Sequence, residues 1–236
     1  MKSVLQHILQ HKRRYQTLPF FDFLRDESRS PTERLAFFPC MAPFILGFGD
    51  LNRCVLREEP TNDPHQQMVN EHTYEDDHHW PWYLEDLTKL GHDRTALVGD
   101  MLREIYSERS EVNRLLMPRL AHLVWNADPL VRLAIIEAIE ETGNVLFALT
   151  AKIAKVYEQE TGTELRYCGE FHFQLESGHA MTTDHAVLAK VELDPVTRQH
   201  ALECADQVFA WFRDWTDELL RYAQQELATR ELLSID

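Results

Sequence analysis

Several things are scarce in this 236-residue chain, and each scarcity excludes something. Cysteine occurs four times, at Cys40, Cys54, Cys168 and Cys204, widely separated and with no C-x-x-C pair. That is neither a disulfide framework nor a thiolate metal site, and it fits a reducing cytoplasm. Eight glycines and ten prolines are too few for a turn-rich all-β chain. Basic residues are outnumbered, 24 Lys and Arg against 39 Asp and Glu, for a formal net charge of −15. Such a surface repels polyanions, so nucleic acid and anionic membrane are poor partners. Long apolar runs are missing too. The longest, Leu35 to Gly49, is short for a span and is interrupted by Pro39 and Pro43. The opening residues lack a continuous apolar stretch and read as an amphipathic helix rather than a signal peptide.

What is present is helical punctuation. Ser30-Pro31-Thr32-Glu33 combines an N-cap serine, proline at the first helical position and a capping-box glutamate. The helix it opens is expected to reach about Arg57 with bends near Pro39, Pro43 and the Gly47/Gly49 pair. Asp63-Pro64 opens a second helix, expected to run to Leu90 and stop at Gly91. Asp128-Pro129 opens a third, to about Gln159, and Asp194-Pro195 opens the last, with Val208, Phe212, Trp215, Leu219 and Tyr222 at helical spacing. Residues 94–106 and 108–125 also read as helical. The segment 164–181 alternates like a strand, but its polar residues recur at four and three, so it too reads as helix. The expectation is an all-α single domain over residues 1–236, a bundle of about seven or eight helices.

Histidine is abundant, at twelve residues, and it clusters. One stretch holds His72, Asp76 and His79; another holds His172, Glu176 and His179. Each reads histidine, an acid four on, a histidine three on. At ~100° per residue these positions fall at about 0°, 40° and −20°, so each triplet projects from one narrow face. Met68, Val69, Trp80, Tyr83, Leu87 and Leu90 share the first triplet's side, with Gln66, Asn70 and Asp77 opposite. Phe171, Phe173, Leu175 and Ala180 flank the second. Both triplets therefore fall on core-facing stripes, where uncompensated acids and imidazoles would be costly. A metal is the simplest compensation. Glu140, at the border of the Ile135–Phe147 apolar face, is the best further carboxylate. Glu75 stands at the edge of the first column and could serve with or instead of Asp76. Glu33 aligns with Phe37, Cys40 and Phe44 and could point inward, although a capping role explains it as well. Carboxylate and imidazole without cysteine favour iron or manganese over structural zinc, and a pooled set this large suggests two metals.

At these residues the sequence resembles the heme-oxygenase-like helical superfamily, and most closely its di-iron oxidase and oxygenase branch. The triplet His172, Glu176, His179 is similar to that branch's late-helix ligand set. The group Glu75/Asp76 with His79 is similar to its earlier acid–histidine pair, and Glu140 falls where the branch places a further glutamate. The crowded run Glu75 to His79 leaves the assignment open among Glu75, Asp76, His78 and His79; Glu33 is the residue available for the branch's first-helix glutamate. The resemblance implies a heme-oxygenase-like bundle holding two irons, or manganese, and acting with dioxygen on a small organic substrate; a homodimer is compatible with it. Heme fits poorly, because neither His7 nor His11 stands out as an axial ligand.

Two other classes stay open. One is a metal-free enzyme of the thiaminase type, with Glu176 as general acid and base and a cysteine nucleophile; no cysteine here sits among acids and histidines. The other is a non-catalytic small-molecule binder. For individual residues the plainer expectations are these. Asp77, His78, Glu137, Glu141 and Asn144 lie on solvated faces. His7, His11, His65, His92, His122 and His200 are surface or capping residues. Trp80, Trp82 and Tyr83 are core aromatics or a substrate-lining cluster, Cys40 is a buried inert thiol or lines the pocket, and Asp184-His185 is an outer orienting pair beside the second triplet or has no role there.

Overall fold

Aspartate or serine followed by proline starts the helices where the sequence indicates. In a computed structural model, which describes residues 1–93, 95–179 and 187–233 and the side chains of all of these but 176–179 and 233, Asp63 accepts from the backbone N–H of His65 and Gln66 at 2.8 and 3.1 Å. Asp128 and Asp194 cap in the same way. The elements are α1 (Lys2–Tyr15), α2 (Pro19–Arg25), α3 (Pro31–Arg34), α4 (Ala42–Leu51), α5 (Pro64–Asp76), α6 (Trp80–Lys89), α7 (Val98–Ile105), α8 (Glu111–Val124), α9 (Pro129–Thr161), α10 (Glu170–His179) and α11 (Pro195–Leu233). Among the described residues all regular structure is helical, and the segments are more numerous than expected because prolines divide them.

The helix opened by Ser30 is one such case. It breaks into α3, a 3-10 turn at Phe38–Met41, α4 and a π turn at Asn52–Leu56. By length and composition Pro31–Leu56 would suffice to cross a membrane, but 61% of its most apolar window is buried inside the fold, where Phe37, Phe38, Met41, Phe44 and Leu56 join the core. Glu33 does not point inward. It is half-buried, and its carboxylate accepts from Ser30 N at 2.7 Å while Ser30 Oγ accepts from Glu33 N, completing a capping box.

The second long helix is also divided. Pro81 has no N–H and its ring excludes the carbonyl four residues earlier, so α5 stops at Asp76 and α6 begins at Trp80. The displaced Asp77 carbonyl turns toward α4, where a Cβ on Gly49 would lie 2.8 Å from it. Only glycine lets α4 approach that closely. Further on, only Glu170–His179 of the segment 164–181 is helical as far as the described residues extend; residues 163–169 form an irregular approach to α10.

Helix α9 organises the molecule. It is 33 residues long, about 50 Å at 1.5 Å per residue, and α1, α2, α3, α5, α8, α10 and α11 all pack on it. Between Val131 and Ala151 a helix covered on so many sides has no exposed residue, which overturns the expectation for Glu137 and Glu141: both are buried. Glu141, fully enclosed, pairs with Lys12 of α1 and accepts from Asn144 Nδ2 at 3.3 Å; Asn144 is itself half-buried. The polar side of α5 is likewise enclosed. Gln66 donates to Leu56 O and Asn70 Oδ1, both at 2.8 Å, and accepts from Arg132 of α9 at 3.0 Å. Asn70 bonds both backbone groups of Glu58. Asp77, half-buried, takes the Arg57 guanidinium at 2.7 Å. Gln66, Asn70 and Asp77 therefore knit α5 to the strip after the π turn instead of facing water.

Candidate metal centre

The stripe of α5 that faces α9 carries His72 and Asp76. Asp76 is buried, and its Oδ2 lies 3.0 Å from His72 Nε2. Glu140, on the facing side of α9, places Oε1 3.6 Å from the same nitrogen. Donor atoms of His72, Asp76 and Glu140 all fall within 4.8 Å of one another. The break at Pro81 does not carry His79 away: as the residue preceding α6 it turns back, with Nδ1 3.8 Å from Asp76 Oδ1. His172, on the first turn of α10, reaches in from the other side, and its Nε2 is 3.1 Å from His79 Nδ1. Four chain segments thus supply five ligand-type side chains, His72, Asp76 and Glu140 as one close group and the linked pair His79 and His172 adjoining it through Asp76.

Supporting contacts fix their orientation. His172 Nδ1 donates to the carbonyl of Tyr167 at 2.7 Å. A carbonyl can only accept, so a neutral His172 carries its lone pair on Nε2, the nitrogen aimed at the cluster. Trp82 stacks on His79 at 4.6 Å between ring centroids, and Phe147 and Tyr167 flank His172 at 4.3 and 4.7 Å. Behind them Asp86 of α6 collects three backbone N–H groups, from Arg166 at 2.7 Å, Tyr167 at 2.8 Å and Cys168 at 3.0 Å. Burial pushes the Asp86 carboxyl above the ordinary carboxylate range despite those three donors. Asp86 fastens the irregular approach to α10 and thereby sets where His172 starts. Sequence reasoning missed it; the signal available was an acid amid the apolar stripe of Tyr83, Leu87 and Leu90.

Beside the cluster lies a cavity of about 660 Å³, part of it open to solvent. Asp76, His79, Glu140 and His172 line one wall, and Phe44, Phe48, Leu146, Phe147, Phe212 and Trp215 line much of the rest. Among the described lining residues there is no lysine, arginine or cysteine. Trp80 also lines it, whereas Tyr83 is a core residue that donates to Phe38 O at 2.7 Å.

Not every expected site residue arrives. Glu75 is exposed and does not line the cavity; it neighbours Asp76 in sequence, but a step of ~100° turns it away. His78 is largely exposed and contacts Asp77. Glu176 and His179 lie on the later turns of α10, but their side chains, like Asp184 and His185, are outside the described residues. Cys40 is buried away from the cavity, its thiol pushed up to about 12 by burial and by the nearby Glu218 carboxylate, so the nucleophile of a thiaminase-type mechanism has no counterpart there.

Whether these residues suit a metal can be judged from one atom. Asp76 Oδ2 is buried without a hydrogen bond of good geometry, although His72 Nε2 is close. A buried carboxylate oxygen left in that state costs roughly 1–3 kcal/mol or more, and a cation among the imidazoles would remove the cost. The donor set fits. Comparison with models of known protein families finds none that matches the chain, and comparison with curated proteins finds no match.

Proposed function

We propose that the chain is a non-heme iron oxidase or oxygenase of the heme-oxygenase-like kind, with two irons and dioxygen acting on a small organic substrate. The observation that carries this reading is the convergence of His72, Asp76, His79, Glu140 and His172 beside an apolar cavity, with all but His72 on its wall. Nitrogen and oxygen ligands without thiolate suit iron, and manganese by the same chemistry; Glu176 and His179 are the proposed remaining ligands. Bound iron would supply redox chemistry with dioxygen. The chain's own part is to hold the ions through these side chains, to keep His172 Nε2 facing them through the Tyr167 carbonyl, and to exclude water with Phe44, Phe48, Phe147, Phe212 and Trp215. The same rings would accept the apolar portion of the substrate, and the described lining residues include no lysine or arginine to pair with an anionic group.

The test is iron analysis of protein purified and reconstituted with ferrous iron under anaerobic conditions. About two irons per chain are expected, as for paired-metal sites, with at least one lost in His172→Ala. Folded wild-type protein that retains no iron would overturn the reading. The direct His172–His79 hydrogen bond favours one second reading in that event, a metal-free pocket that binds an apolar molecule.

A further inference from the structure

We propose that His7, His11 and Asp206 form a second metal site, separate from the centre above and of the zinc type, which clamps α1 to α11. His7 and His11 are four residues apart on α1, so their rings lie one above the other, 4.6 Å between centroids. Both point Nε2 at the same carboxylate oxygen: Asp206 Oδ1 is 2.6 Å from His7 and 2.8 Å from His11. The three donor atoms belong to one group lying within 4.8 Å. Two imidazole nitrogens gathered on one carboxylate oxygen supply the three ligands of a zinc set, with a fourth position left for water. Zinc bonds of ~2.0–2.2 Å require donor separations only slightly wider than those present, so the side chains open by a fraction of an ångström.

The neighbourhood holds this geometry in place. The His11 ring stacks on Phe209 at 5.1 Å and 24°, and Phe209 is one turn beyond Asp206 on the same helix. All three side chains are partly exposed, at 30%, 23% and 53%, so an ion reaches them without local unfolding. An adjoining cleft runs past Arg14, Tyr15 and Arg213. Imidazole-rich sites bind zinc and copper more tightly than ferrous iron, which separates this trio chemically from the carboxylate-rich centre. The trio joins residues about 200 apart in sequence (199 between His7 and Asp206), so the ion binds the folded chain and stabilises it.

The experiment titrates Zn(II) into the full chain against a chromophoric chelator and follows thermal unfolding in parallel. Wild type and His172→Ala should both bind zinc and gain several degrees in Tm. His7→Ala/His11→Ala should lose that gain, and Asp206→Asn, which keeps its size, should weaken zinc binding at least tenfold. Iron uptake by the α5–α9–α10 centre should be unchanged in both. Zinc affinity and Tm response in these variants equal to wild type would overturn the proposal. So would a zinc response that disappears in His172→Ala and persists in the α1 variant, which would place the ion at the other centre.

Discussion

Replacing Asp86 by asparagine is the sharpest probe of how the centre is supported. The carboxylate gives Oδ2 to the N–H groups of Tyr167 and Cys168 and Oδ1 to that of Arg166. Asparagine has one oxygen. Its best orientation keeps the Tyr167 and Cys168 pair and turns the amide nitrogen toward Arg166, where two donors then face each other. One stranded N–H costs about 1–3 kcal/mol. The two surviving bonds lose their charge assistance, while relief from burying a charge, visible in the raised Asp86 pKa, offsets part of that. The net expectation is about 2 kcal/mol of lost stability, read from urea denaturation at neutral pH. Because the loosened strip includes the Tyr167 carbonyl that orients His172, iron affinity should also fall, by about 10–100-fold as for other supporting contacts of metal ligands. A variant within about 0.5 kcal/mol of wild type and with unchanged iron affinity would refute the view that Asp86 positions α10.

Two further substitutions test neighbouring parts of the argument. A Cβ on Gly169 would sit 1.9 Å from the Leu165 carbonyl, so Gly169→Ala should destabilise the chain by about 3 kcal/mol or more and lower iron occupancy; a wild-type unfolding curve would contradict the close approach. Asp77 should give a pH signature. Burial raises its carboxyl, but the hydrogen bonds from Arg57 and His78 outweigh this and hold it below the ordinary range. Its contribution is therefore complete above the unfolded value of ~3.9 and disappears as pH falls through the lower folded value. Asp77→Asn should cost about 1 kcal/mol at pH 7, with the difference closing in acid; a gap independent of pH would count against the Arg57 pairing.

How much of this was legible beforehand depended on whether the cause was local. The starts at Pro31, Pro64, Pro129 and Pro195 follow from cap chemistry within a few residues, and the structure has all four. The angular argument that put His72 and Asp76 on one face needed only the pitch of a helix. It failed for Glu75, where one step round the wheel separates buried from exposed, and it failed wherever a helix has more than one covered side. Glu141, Gln66 and Asn70 looked solvated because a wheel assumes a single buried face, whereas α9 and α5 are packed on several. Pro81 was in plain view, yet the turn it causes returns His79 to Asp76, an outcome set by tertiary packing. Nothing near His7 or His11 in the sequence indicates Asp206 as their partner, and Asp86 is equally remote from the strip it secures.

The central position of α9 also bears on how the cavity comes into being. Its walls draw on α4, the α5–α6 junction, α9, the approach to α10 and α11, and of these α5, α10 and α11 lean directly on α9 while α4 packs on α6 and α8. No fragment shorter than residues 41–215 therefore contains the whole lining, and most of the chain must be in place before the pocket is complete. Contacts so distant in sequence slow the search for the native arrangement, which makes the assembly of this pocket a late event in folding.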